Sequence, residues 1–361
     1  MKTFSYCPFN SKIEFCSVVM LHGKLHYEDE PKKKDPMDEG LSLVASTCND
    51  GWGYVKNLDV VSDEQWPLPN RLTLRYITKN DGRCYAIDTP LDNALATELW
   101  EKQLNDFPNE PFKDYVVGTA PFGCIAVWLR GRTRSVLLHS LQAEEVELNE
   151  VESIYYSSFA KTGISEIISR KELEDNMQQF CYRYVTLEEH WDWDSMSWIE
   201  YEDDDLYYDD LDIDSVEDQR ADGSFNHLRG DESQLKYHTT GKPLRITVRW
   251  HAGPTEYMAH FWLDEFLTTK FFNEFFEGQP NVKADFMIRL DPQEQVYQLA
   301  LRGNNSQDDY VFPMRTYQLI VFRDGEEHYT SPNYFLEDGQ WSWEWRKKEQ
   351  ASTEEPPQNT P

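Results

Sequence analysis

Basic residues are scarce in this 361-residue chain: 35 Lys plus Arg stand against 65 Asp plus Glu, a net charge of −30. That deficit argues against a surface built to hold nucleic acid or an anionic membrane, and it steers basic proteins toward the chain. Long apolar runs are missing as well. No stretch approaches the roughly 18 residues that a membrane-spanning helix needs. The opening Met1-Lys2-Thr3-Phe4-Ser5-Tyr6-Cys7-Pro8 has no continuous apolar core, because Asn10, Ser11, Lys12 and Glu14 interrupt it. A cytoplasmic location is the expectation.

Cysteine chemistry is sparse too. Cys7, Cys16, Cys48, Cys84, Cys124 and Cys181 form no CxxC pair and no zinc-like spacing, so they read as reduced core residues. No Walker loop, GxGxxG, HExxH or GxSxG occurs. His22 and His26 share a strand face but lack the further ligands a metal requires. Asp88 and Asp264 are two carboxylates among 65, and nothing marks them as a hydrolytic pair. The expectation is a protein that is not an enzyme, with no catalytic residues, no metal and no cofactor.

Aromatic residues are plentiful: 12 Trp, 20 Tyr and 19 Phe, 14% of the chain, which favours packed strands over disorder. Residues 14 to 27 read as strand and Asp29 to Gly40 as an exposed loop. Leu72, Leu74 and Tyr76 alternate toward an Asn80-Asp81-Gly82 turn, and Cys84 to Asp88 returns, which predicts a hairpin. Thr89 or Asp88 is the expected cap of a helix carrying Leu91, Leu95, Leu99 and Trp100 at helical spacing. Strands follow at 114–118, 124–130 and 135–139, with Pro121-Phe122-Gly123 as a turn.

That order recurs. Arg71-Leu72-Thr73-Leu74-Arg75-Tyr76 matches Arg245-Ile246-Thr247-Val248-Arg249-Trp250, and Leu91 to Gly131 aligns without gaps onto Leu263 to Gly303, ending in Leu-Arg-Gly both times. Duplication is the economical reading. It predicts an α+β fold of two related units, each a twisted antiparallel sheet with one helix on a face. The expected division is 1–150 for the first unit, 151–187 for a connecting helix and strand, 188–240 for an acidic aromatic segment, 241–348 for the second unit and 349–361 for a disordered tail. Ser169, with Glu172 three residues on, is the expected cap of the connecting helix.

Between Glu188 and Glu232, 18 acids meet two bases, Arg220 and Arg229, so an eighth of the chain carries 16 of the 30 net negative charges. Rings interleave with the carboxylates. Asp192, Trp193, Asp194, Trp198, Glu202, Asp203, Asp204, Asp205, Tyr207, Tyr208, Asp209, Asp210, Asp212 and Asp214 are therefore the candidate partner-binding residues. A solvated, extended linker is the competing reading, since blocks of like charge often stay unfolded. A calcium loop at Asp210-x-Asp212-x-Asp214 lacks its glycine, replaced by Ser215, and its closing Glu, replaced by Ala221.

Asp50-Gly51-Trp52-Gly53, Leu68-Pro69, Leu72 to Tyr76, Tyr115-Val116-Val117-Gly118 and Pro121 to Gly131 together resemble a family of bacterial proteins of unassigned function, many of them short lipoproteins of Gram-negative bacteria. The resemblance implies a bacterial origin and carries over no site residue. It covers about a quarter of the chain clearly, and here the pattern is doubled, interrupted by the acidic segment and without a lipobox. In overall character the chain also resembles immunity proteins that neutralise antibacterial toxins. The expected partner is thus a basic protein, a cognate toxin, with no nucleic acid or membrane; the alternative is a carbohydrate- or surface-binding module using exposed Trp52, Trp191, Trp193 and Trp198.

Overall fold

The computed structural model describes residues 18–27, 41–42, 52, 68–106, 111–161, 167–188, 190–192, 197–199, 211–229, 237–252, 255–279, 281–290, 298–304, 309–312, 317–323 and 326–330. In chain order the first elements are β1 (Val18–His26), β2 (Leu41–Ser42), β3 (Arg71–Thr78), β4 (Cys84–Pro90), α1 (Ala94–Asp106), β5 (Phe112–Thr119), β6 (Cys124–Gly131), β7 (Arg134–Gln142), β8 (Glu144–Val146), α2 (Glu150–Phe159) and α3 (Arg170–Met177). Then come β9 (Gln179–Glu188), β10 (His190–Asp192), β11 (Ser197–Ile199), β12 (Leu211–Arg220), β13 (Phe225–Arg229), β14 (His238–Gly241), β15 (Pro243–Ala252) and β16 (Thr255–Trp262). The last are α4 (Glu265–Phe276), β17 (Ala284–Leu290), β18 (Gln298–Gly303), β19 (Asp309–Val311), β20 (Tyr317–Arg323) and β21 (Glu326–Thr330).

The fold is α+β and mainly antiparallel. A nine-stranded sheet, β21-β20-β16-β15-β12-β13-β7-β6-β5, is the shared layer. One five-stranded sheet, β2-β1-β3-β4-β8, packs on its β5–β6 end: Leu25, Leu72, Leu74 and Tyr76 meet Ile125 and Val127 in one buried cluster. A second, β14-β9-β17-β18-β19, packs on the other end through Tyr182, Tyr184 and Phe286, against Val248 and Trp250, with Phe271 and Phe272 of α4 in the same core. Within it β9 runs parallel to β17, Tyr182 opposite Ala284.

Burial on both faces explains the unbroken apolar run of β6. Its Ile125, Val127 and Leu129 face the first sheet and α1, while Ala126 and Trp128 face Leu173 and Ile168 beside α3. The nine-stranded sheet is stitched at its middle, where β13 pairs with β7 for only two residues, Phe225 opposite Ser135 and Asn226 opposite Arg134. The Trp128 indole donates across that join to the carbonyl of Asp222, at 3.0 Å.

The Asn80-Asp81-Gly82 turn does more than reverse the chain. Gly82 and Gly123 hold φ of +68° and +79°, values open to glycine, and Phe122 holds +60°. The Asp81 carboxylate accepts from the Phe122 amide at 3.1 Å and from Tyr85 Oη at 2.6 Å, so it fixes the Pro121–Gly123 turn in that conformation.

Two expectations about the first helix are corrected. β4 stays paired with β3 as far as Pro90, opposite Arg71, so neither Thr89 nor Asp88 caps a helix. Asp88 instead takes a two-pronged bond from Arg71. α1 starts at Ala94, whose amide donates to Asp92 Oδ1, and turns Ala96 inward while Leu95 stays 43% exposed. Ser169 caps α3 and Asp264 caps α4. The expected loop at 29–40 and the tail at 349–361 lie outside the described residues.

Candidate functional site

His190, Trp191 and Asp192 pair antiparallel with Ile199, Trp198 and Ser197, so Asp192 and Trp198 lie on a short ladder, β10–β11. Trp193, Asp194, Glu202, Asp203, Asp204, Asp205, Tyr207, Tyr208, Asp209 and Asp210 lie outside the described residues. Asp212 and Asp214 are on β12, an extended strand between β13 and β15, rather than on a loop. Asp214 Oδ2 sits 2.8 Å from Nδ1 of His251, and both side chains are 40% exposed.

Two acids beyond Asp214 turn inward. Asp218 is 3% exposed and Asp222 fully buried, which a charge pattern alone does not disclose. Asp218 Oδ2 accepts from Arg220 Nε at 3.0 Å, Arg220 Nη2 at 2.7 Å and Tyr184 Oη at 2.7 Å, while its Oδ1 accepts from the Asn226 amide at 2.9 Å. Burial raises its pKa against the pull of Arg220. Burial also lowers that of Arg220, but Asp218, then Tyr182 and Tyr184, outweigh it and hold the guanidinium charged. Asp222 accepts from the amide and hydroxyl of Ser224 at 2.9 and 2.6 Å and from Gln179 Nε2 at 2.7 Å. A buried charge is tolerable only with such partners.

Lys242 completes this interior. It is fully buried, its Nζ donates at 2.7 Å to the Asp175 carbonyl in the last turn of α3, and burial lowers its pKa to about 8 although Glu265, Asp175 and Asp222 oppose that. Glu265, which accepts from Asn176, lies in the first turn of α4. A cation at one helix C-terminus and an anion at another N-terminus match the helix dipoles. The group has bonds for its charges and a structural task, tying α3 and α4 to the sheets.

A surface that sequence reasoning did not single out is α2. Asn149 and Glu152 close a capping box at its start. Glu152 also takes Arg75 Nε and Nη2, each at 2.7 Å, pinning the helix to β3. No α2 residue is buried. Val151 at 76%, Ile154 at 74% and Tyr155 at 48% exposure form an apolar stripe at i, i+3 and i+4. Exposed Glu144, Glu145, Glu147 and Glu150 precede it in the chain. The legible signal was Asn149-x-x-Glu152 ahead of that spacing.

The other candidates resolve into structural roles. Trp52 is 6% exposed and meets Trp128 edge-on, ring centroids 4.9 Å apart, so it is not a stacking platform. The side chains of Trp191 and Trp198, and Trp193 as a whole, lie outside the described residues. His26 shares a 3.0 Å hydrogen bond with Thr73 Oγ1, and His22 is exposed, its pKa lowered by burial, Lys24 and His26. Cys124 is buried among apolar groups, which pushes its thiol up to about 12, the opposite of an activated nucleophile. Among the described residues no three His, Cys, Asp or Glu side chains are grouped to hold a metal ion, and no helix is long and apolar enough to cross a membrane.

The fold and these surfaces thus define a mainly antiparallel α+β protein with an exposed apolar stripe on α2. Residues 22–184, from β1 into β9, match the family described as a protein of unknown function, DUF2931. No curated protein and no solved structure matches the chain.

Proposed function

We propose that this chain is a non-catalytic binding protein whose partner is a basic protein, and that it serves as an immunity protein, occluding a cognate antibacterial toxin. The observation that carries the reading is the placement of charge: 16 of the 30 net negative charges fall between Glu188 and Glu232. Support comes from α2, whose apolar stripe is held rigid by Arg75 and preceded in the chain by carboxylates, the combination that buries contact area while pairing Lys and Arg at the rim.

We further infer that the scaffold is a duplication. Arg71 opposite Pro90 and Thr73 opposite Asp88 correspond, through the offsets of the sequence match, to Arg245 opposite Trp262 and Thr247 opposite His260. Phe112 opposite Gly131 likewise corresponds to Ala284 opposite Gly303. On this reading the shared hairpin, helix and sheet are frame, and the features found once, the acidic segment and α2, are where specificity resides.

The test is capture from the native host with the full chain, followed by affinity measurements on the captured protein. A basic protein is expected, bound more weakly as salt rises and at least tenfold more weakly when Asp203, Asp204, Asp205, Asp209 and Asp210 are all changed to Asn. Binding indifferent to salt and to those changes would refute the acidic-segment reading.

A further inference from the structure

The chain has a large excess of acids, and its described arginines are mostly spoken for. Arg71, Arg75, Arg83, Arg183, Arg220 and Arg302 each hold a carboxylate. Among the described residues the guanidiniums of Arg132 and Arg245 have neither a carboxylate nor a hydrogen-bond partner. Both border one cavity of about 210 Å³ on the nine-stranded sheet.

Strand register builds that cavity. Phe225, Gln219 and Arg245 form one rung across β13, β12 and β15, and His227, Glu217 and Thr247 form the next. These side chains alternate away from Val216 and so from the core. Arg132 enters over the β13 edge from the β6–β7 turn, which the His227 amide anchors by donating to the Thr133 carbonyl at 2.8 Å. Of the two acids bordering the cavity, Glu217 lies 3.0 Å from His227 Nδ1 and Asp218 is bonded to Arg220. Among the described residues the two guanidiniums are thus the charged groups of the cavity without a protein partner.

We propose that this cavity is a binding site for a small molecule carrying an oxyanion, a phosphate or a carboxylate, held by Arg132 and Arg245. A guanidinium presents a planar fork that fits either group. Gln219 and Thr247 supply further polar contacts, and Phe225 an apolar wall. At about 30 Å³ per water in the liquid, the space suits a ligand of a few non-hydrogen atoms. Binding here is local, because a chain of net charge −30 repels anions elsewhere. Arg245, together with Arg249, also depresses nearby His260, whose pKa falls to about 4, first by burial and then by these cations.

Calorimetric titration of the full chain with inorganic phosphate and, separately, with succinate at low ionic strength tests the site. Saturable one-site binding of at least one probe is expected, weakened about tenfold or more in both R132Q and R245Q and unchanged in R83Q, which removes an exposed arginine elsewhere. Binding of phosphate alone assigns a phosphorylated ligand, and of succinate alone a carboxylate. Binding of neither probe, or binding that survives R132Q and R245Q, or an equal loss in R83Q, would overturn the proposal. Arg132 lies on an exposed turn, so R132Q reads the site even if R245Q disturbs the sheet.

Discussion

Replacing Lys242 by Met tests the buried charge group through the pH dependence of stability. In the folded chain the Lys242 ammonium loses its proton at about pH 8 against 10.5 for an unburied lysine, burial being the largest cause. Between those values the unfolded chain holds a proton that the folded chain has released, so raising the pH stabilises the fold across this window. A shift of that size corresponds to about 3 kcal/mol, at about 1.36 kcal/mol per pKa unit. Below pH 8 both states are protonated at this site, and above 10.5 both are neutral, so the contribution is flat on either side. Tyrosines and other lysines titrate in the same range, but they do so in wild type and K242M alike, and the difference between the two isolates Lys242. Urea unfolding at intervals from pH 7 to 10.5 should show wild type gaining about 3 kcal/mol on K242M between pH 8 and 10.5. Parallel curves, or a wild type that loses ground, would refute a buried, desolvated Lys242.

Breaking the other interior pair should be costly. Asp218→Ala leaves the Arg220 guanidinium buried and unpaired and is expected to cost about 3–5 kcal/mol by urea unfolding, whereas Asp218→Ala combined with Arg220→Met should recover part of the loss. Gly123→Ala should cost more than Gly278→Ala: both positions have positive φ, but an added Cβ at 123 would meet Gln142 Nε2 at 2.4 Å and the Ala143 carbonyl at 2.5 Å, while at 278 it meets nothing within 4 Å. Thermal melts of the two variants give the ranking. Val151→Asp with Ile154→Asp on α2 should leave stability within about 0.5 kcal/mol per site and abolish capture of the basic partner. Capture that persists would detach α2 from function.

Much of the frame was legible because local chemistry and packing agree. Asn80-Asp81-Gly82 announced a turn, and the same residues meet its needs, Gly82 with positive φ and Asp81 with its carboxylate on neighbouring amides and hydroxyls. Helix α4 was legible from the match of Leu263 to Gly303 with Leu91 to Gly131, which carries the first helix; the cap that starts it, Asp264 Oδ1 accepting from the Leu267 amide, was not read. The start of α1 was misplaced because Asp88, Thr89 and Pro90 look like a cap and first turn, while cross-strand pairing to Arg71, a contact distant in sequence, keeps them extended. Asp218, Arg220 and Asp222 looked solvated within an acidic block. Their burial depends on β12 lying under Tyr184 and on β14 closing over Asp222, and neither neighbour is readable from a window of local residues.

That burial changes how the acidic stretch has to be probed. Between Glu188 and Glu232 composition merges carboxylates in different surroundings: among the described residues Asp214 is exposed, whereas Asp218 and Asp222 of the β12–β13 hairpin are sealed in the sheet. Asn at Asp218 or Asp222 would replace an acceptor carboxylate with an amide whose NH2 faces groups that donate, among them the amides of Asn226, Ser224 and Gly241. The resulting loss of stability would pass for a loss of binding. Charge neutralisation confined to Asp203, Asp204, Asp205, Asp209 and Asp210 leaves the carboxylates of Asp218 and Asp222 in place, so a weakened complex from those changes, with an unchanged melting temperature, reports on the partner and not on the fold.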